Sequence, residues 1–359
     1  MTTSTRTTVH RIATDSPADT RGLVQLIESN ALDPATVVAV FGKTEGNGCV
    51  NDFTRGYATE RLQNLFASHI GSDAARRIAM VMSGGTEGVI SPHLTVICRE
   101  RSAQPSAVDT QALAVGVART PELAAHDIGR RAQIQAVATA TAQALQQAGI
   151  DDPDDVHYVQ VKCPLLTSQK IREAQTTGHA VATTDTYKSM GYSRGASALG
   201  VAVALGEIEA ERAQDETVLE DMNCFSAVAS ASAGSELDYC EVIVIGNTLS
   251  ASGDLYARHA VMQDAIDAEA VRQALAADAP GDRVVQLFAK AEADPSGEIR
   301  GRRHTMINDS DINHTRHARA VVGGVIAALA GDPTVYVSGG AEHQGPSGGG
   351  VIAAILSRG

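Results

Sequence analysis

One order of features occurs three times along this 359-residue chain: a strand ending in lysine, an arginine opening a small-residue helix, a serine turn, and a second strand. Internal repetition of this kind restricts the fold more than any other feature. The lysine-terminated runs are VVAVFGK (Lys43), VHYVQVK (Lys162) and RVVQLFAK (Lys290). The helix-like stretches open at Arg55, Arg194 and Arg319. The turns read Ser-x-Gly-x-Glu at Ser83–Glu87, Ser232–Glu236 and Ser338–Glu342, and β-like runs follow at Leu94, Glu241 and Val351. The spacing between lysine and serine differs from copy to copy, so this is not a solenoid period. It predicts three diverged units, residues 1–104, 111–250 and 255–359, with boundaries near Arg101–Ala107 and Ser250–Gly253.

Strands alternating with helices predict an α/β class. Amphipathic spacing predicts helices over Gly129–Ala148 and Ala265–Ala276. In the first, Ile134, Val137, Ala138, Ala142 and Leu145 share a face that Thr141 interrupts. Hydrophobic residues make up 43% of the chain, which suits a folded core, but aromatics are only 3% and tryptophan is absent. The core must therefore rest on Val, Ile, Leu and Ala. A formal charge of -13 argues against nucleic acid or an anionic membrane as partner. Five cysteines without C-x-x-C argue against a disulfide framework, and a reducing cytoplasm fits best. The first 20 residues lack the apolar region of a secretory signal, and the apolar stretch Val321–Ala330 is too short to span a membrane.

A lone lysine at a strand end is usually a solvated charge, and a lone Ser-Gly-Gly is usually only a turn. The same three residue types recurring three times in one order point instead to a shared site. Glycine beside each serine permits close backbone approach, and a desolvated lysine can deprotonate a serine hydroxyl. Lys43 has Glu45 two residues on and Lys290 has Glu292, on the same face of an extended chain. A carboxylate there would hold those lysines charged. Lys162 has Pro164 instead, which makes it the expected general base, with Ser232 as its partner by register.

Other motifs fail. FGKT resembles the end of a P-loop, but the first glycine of that motif would fall on Val37. His304, His314 and His317 match no standard zinc spacing. Histidines do not recur in register with the serines, and Cys163 alternates to the face opposite Lys162, so it belongs to the core. The glycine-rich GGAEHQGPSGGGV is either a nest of N–H groups, a carbonyl cage for a hard cation, or a plain flexible loop. Pro346 removes an N–H, and Glu342 and Glu292 add acidity, which favours a cation.

GKTEGNGCVND, MSGGTEGVISPH, VQVKCPLLT, TTDTYKSMGYSRGASALG, SASAGSEL, FAKAEA, SDINHTRHARAV and VYVSGGAEHQGPSGGG together resemble the cyanuric acid hydrolases, which share a family with barbiturase. The likeness runs from about Val37 to the C-terminus, and MGYSRGASALG and VSGGAEHQG favour the cyanuric acid branch. The resemblance implies three similar domains about a pseudo-threefold axis, forming a triangular β-barrel with outer helices. It implies hydrolytic opening of cyanuric acid to carboxybiuret, then biuret and carbon dioxide, with Ser232 as nucleophile and Lys162 as base. Lys43 and Lys290 would form supporting dyads. It carries substrate binding to Arg55, Ser83, Gly84, Arg194, Ser232, Ala233, Arg319, Ser338 and Gly339. It implies no organic cofactor, but a structural divalent cation, magnesium or calcium, at Glu292 with backbone oxygens of Ala341, Gln344, Gly345, Pro346 and Gly349. A small-molecule substrate and a homotetramer are the expected partners. Barbiturase activity, or a non-catalytic binding protein using the same cavity, are the alternatives.

Overall fold

The computed structural model describes residues 4–102 and 110–359, so most of the boundary expected at Arg101–Ala107 lies outside it. Elements in chain order are β1 (Ser4–Ala13), α1 (Arg21–Glu28), β2 (Val37–Thr44), α2 (Phe53–Ile70), α3 (Ser72–Ala75), β3 (Ala79–Gly84) and β4 (His93–Ser102). There follow β5 (Ala112–Arg119), α4 (Arg131–Ala148), β6 (Val156–Pro164), α5 (Ser168–Thr176), α6 (Thr186–Ala204), β7 (Ala229–Gly234), β8 (Glu241–Thr248) and the short β9 (Ala251–Ser252). The last stretch holds β10 (Leu255–Met262), α7 (Ala268–Leu275), β11 (Arg283–Ala291), β12 (Glu298–Ile299), β13 (Arg302–Arg303), α8 (His314–Ala330), β14 (Tyr336–Gly339) and β15 (Gly350–Ser357).

These strands form three mixed sheets with orders β3-β2-β4-β1-β9, β5-β8-β6-β7 and β10-β15-β11-β14, besides the β12-β13 ribbon. The fold is α/β, as the alternation predicts. Each lysine strand pairs antiparallel with the long strand that ends its stretch and parallel with its serine strand. A parallel pair needs a crossover, and α2 with α3, α6 and α8 provide it. All three lysine strands shift register at the same place, skipping Val38, His157 and Val285.

Apolar burial falls into two layers. Helices cover the outer face of each sheet in separate clusters, such as Leu62 and Phe66 of α2 against Val40 and Met80. A central cluster draws on all three sheets, including Phe41, Ile97, Tyr158, Ile243, Phe288, Tyr336 and Ile355. Four of the chain's few aromatics meet there, with Phe288 5.1 Å from Phe41, 5.0 Å from Tyr158 and 5.7 Å from Tyr336 between ring centres.

The expected face of α4 is rotated. Thr141 is wholly buried with Ile134, Val137 and Ala144, whereas Ala142 faces solvent. Thr141 tolerates burial because its hydroxyl donates to the Val137 carbonyl at 2.8 Å. Cys163 is buried as expected.

Candidate active site

The pairing register sets the site. Lys43 lies opposite Ser83, Lys162 opposite Ser232 and Lys290 opposite Ser338, each on parallel strands that end beside one another. The serines are the penultimate or near-final residues of β3, β7 and β14, not turn residues. The lysines are buried to 1%, 1% and 0% exposure, which removes the solvated-charge reading.

Arg55 sits in the first turn of α2, where Asp52 caps the helix by accepting from Thr54 N–H at 3.0 Å and from Gly48 N–H at 2.8 Å. Arg319 lies in the second turn of α8. Arg194 departs from the expectation of a helix start. It lies in the middle of α6, which begins earlier, at Thr186, because Asp185 caps it there.

All nine expected substrate-binding residues, Arg55, Ser83, Gly84, Arg194, Ser232, Ala233, Arg319, Ser338 and Gly339, line one cavity. Lys162, Gly48, Met82 and Met190 complete the wall. Gly84 and Gly339 are close-approach positions: a Cβ would meet the Asp52 carboxylate in one and Thr315 in the other. Lys43 and Lys290 stand behind the wall. Lys43 Nζ donates to Ser83 Oγ at 3.3 Å, and Lys290 Nζ donates to Ser338 Oγ at 3.1 Å and to Ala231 O at 2.5 Å. Lys162 and Ser232 are in register but turn to other partners. Lys162 Nζ meets Glu236 at 2.7 Å and Met82 O at 3.1 Å, while Ser232 Oγ meets Ser338 Oγ at 2.9 Å.

The glutamates that follow the three serines had no expected part in binding the arginines, and they organise the arginines in a ring. Glu87 grips Arg319 and Glu342 grips Arg194, each through two oxygens. Glu236 lies 3.6 Å from Arg55 but is drawn to Lys162, leaving Arg55 Nε buried without a hydrogen-bond partner among the described residues. Each glutamate thus serves an arginine from another stretch of the chain. The Ser-x-Gly-x-Glu spacing was the available signal, and only the fold names the partner.

This geometry reverses the reasoning from the residue two places on. Glu45 lies beyond the end of β2 and is exposed, and Glu292 turns to accept Ala341 N–H at 2.7 Å. The lysine with a carboxylate in contact is Lys162. Burial pulls Lys43 well below the usual lysine range, with Arg319 adding to this and Glu87 opposing it. Burial and then Arg194 bring Lys290 to about 7. Burial also lowers Lys162, with Glu236 working against it. Glu236 itself is raised by burial, but Lys162 and Arg55 outweigh that and hold it at about 2.

Comparison with known proteins gives the family. Residues 8–357 match the family described as amidohydrolase ring-opening protein. The chain belongs to this family. Among similar members are the cyanuric acid amidohydrolases of Rhizobium johnstonii, 54% identical over 99% of both chains, and Enterobacter cloacae, 52% identical over 97% of this chain and 98% of that one. The crystal structure of the cyanuric acid hydrolase from A. caulinodans superposes with a TM-score of 0.92 at 50% identity, covering 99% of both chains. In this ring-opening amidohydrolase no described helix is long and apolar enough to cross a membrane, and all five cysteines are free.

Among the described residues no cluster of three or more His, Cys, Asp or Glu could hold a metal. The expected cation set is of another kind, one carboxylate with backbone carbonyls. Glu292 is partly buried, and burial followed by Glu342 raises it to about 7. The adjoining loop turns back through positive φ at His343, Gly345, Gly348 and Gly350. Its carbonyls at Ala341 and Pro346 each accept one N–H at 2.9 Å and keep a second lone pair. An all-oxygen set of this kind fits a hard divalent cation.

Proposed function

We propose that this protein opens the ring of cyanuric acid. The observation that carries the reading is the single cavity into which three arginines and three serines, from three stretches of chain, converge. Cyanuric acid is a small planar ring with three carbonyls in threefold arrangement. Three similar domains about a pseudo-threefold axis, the triangular barrel of the family resemblance, would present matched donors to those oxygens.

In the proposed reaction Ser232 Oγ bonds to a ring carbonyl carbon as its proton passes to neutral Lys162 Nζ. Serine hydroxyls and backbone N–H groups of the other stretches stabilise the oxyanion. The ring C–N bond then breaks, its nitrogen taking the proton from Lys162. Water hydrolyses the acyl-enzyme to carboxybiuret, which loses carbon dioxide to give biuret. Lys43 and Lys290 support the binding serines. A magnesium or calcium ion held by Glu292 and the carbonyls of Ala341, Gln344, Gly345, Pro346 and Gly349 would fix the loop that follows Ser338. It would do no chemistry on substrate. A homotetramer in the cytoplasm is part of the same reading.

The test is an assay of the purified protein on cyanuric and barbituric acids, with biuret as the product sought. Turnover of the first is expected. Ser232→Ala should abolish it, and Lys162→Ala should lower kcat by about 10²–10⁴-fold. Binding of cyanuric acid without turnover, or turnover of barbituric acid alone, would overturn the reading.

A further inference from the structure

Three serines lie in equivalent register, and the register alone does not say why one of them should attack. The residues one step further back along the same strands differ. Residues i and i+2 of a strand share a face, so behind each Lys–Ser pair stands a second pair. It is Phe41 opposite Val81 behind Ser83, and Phe288 opposite Tyr336 behind Ser338. Behind Ser232 it is Gln160 opposite Ser230. A primary amide therefore occupies a position that is phenylalanine in both other copies.

Gln160 is fully buried beneath the cavity and does not line it. Burying an amide is costly unless each of its groups is bonded, and here they are. Its oxygen accepts from Tyr158 OH at 2.9 Å and Ser230 Oγ at 3.1 Å. Its nitrogen donates to the Val161 carbonyl at 3.1 Å and faces Ser232 Oγ at 3.5 Å. A carbonyl can only accept, so Val161 decides which end of the amide is nitrogen. The group presented to Ser232 is thus an N–H donor. With that donor on one lone pair, Ser232 is left to share its hydroxyl proton on the cavity side, where Ser338 Oγ stands 2.9 Å away. The contact is long in the resting site, and such contacts shorten as charge develops on the acceptor.

We propose that Gln160 is the positioning residue that singles out Ser232 as the nucleophile, holding Oγ in place and stabilising the negative charge it acquires on attack. This rests on Ser232 being the acylated serine. Neither Ser83 nor Ser338 has an amide behind it, so neither gains this stabilisation.

The experiment follows acylation by cyanuric acid with rapid acid quench and peptide mass mapping, alongside steady-state kinetics, in the unsubstituted enzyme and in Gln160→Met, Gln160→Glu and Tyr158→Phe. Gln160→Met removes the donor at nearly constant volume. It should lower kcat and the acylation rate together by about 10- to 100-fold, with KM within about twofold. Gln160→Glu keeps an acceptor for Tyr158 and Ser230, so it also serves if the methionine variant does not fold. An ionised carboxylate cannot donate to Ser232, whereas a protonated one can, so its rate relative to the unsubstituted enzyme should climb as pH falls. A purely structural role would leave that ratio flat. Tyr158→Phe keeps the donor and should retain most activity. Label on Ser83 or Ser338 in the unsubstituted enzyme would overturn the nucleophile assignment itself. Label on Ser232 with Gln160→Met acylating at the unsubstituted rate, or a flat ratio for Gln160→Glu, would overturn the role of Gln160 alone.

Discussion

Glu236 is shared between two cations, and that sharing sets the protonation of the proposed base. Its partners in the ring, Glu87 and Glu342, each bind an arginine through both oxygens. Glu236 instead contacts Lys162 at 2.7 Å and leaves Arg55 at 3.6 Å. Its negative charge favours the ammonium form of Lys162 and opposes the lowering by burial. Glu236→Gln removes that charge, so the pKa of Lys162 should fall further. A general base works unprotonated, so the acid limb of kcat/KM should move to lower pH. A pH profile measured on both proteins checks this. A limb that stays in place or moves to higher pH would show that Lys162 is not the group titrating.

At the scale of elements, the loop between β14 and β15 holds the site together. His343 on this loop accepts Leu219 N–H at 2.8 Å and donates to Cys224 O at 2.6 Å, and the Gln344 side chain accepts Ala231 N–H at 2.6 Å. The next residue after Ala231 is Ser232. Glu342 on the same loop grips Arg194. A cation at Glu292 and the loop carbonyls would therefore stiffen contacts to a neighbouring sheet as well as its own. A ligand that binds only the folded state raises stability by mass action. Treatment with a chelator should lower Tm, and added magnesium or calcium should restore it, with activity following stability. An unchanged Tm on chelation and on cation addition would remove the cation from the proposal.

Across the whole molecule, distant stretches of the chain are joined by buried charges as well as by the central aromatic cluster. Arg319 and Glu87, from the last and first stretches of the chain, have side chains only 4% and 14% exposed. Breaking a buried pair by removing one partner typically costs about 3–5 kcal/mol, because the other charge remains uncompensated. Glu87→Gln should destabilise on that scale, discounted for its partial exposure. The double replacement Glu87→Gln with Arg319→Gln should recover part of the loss. Denaturant unfolding of the single and double variants measures the coupling, and simple additivity would show that the pair does not join the two stretches.

Much of this was legible in the chain. The lysine-ended runs, the serine and glycine residues after them and the alternation of strand with helix are local patterns, and local patterns determine strands, helices and which face of a strand a residue occupies. The three arginines and three serines of the cavity could be named because each recurs at a fixed place in such a pattern, whereas Gly84, Ala233 and Gly339 came from the likeness to the cyanuric acid hydrolases. What sequence spacing misjudged was anything that depends on partners from elsewhere. Thr141 is buried on α4 through a bond to its own helix backbone. Lys162 lacks a carboxylate two residues on yet meets Glu236 across the parallel pair. Gln160 reads as one more strand residue until its amide is seen behind Ser232. Charge and hydrogen-bond energies depend on distance in space, and the distances between chain segments so far apart in sequence exist only once the three sheets have come together.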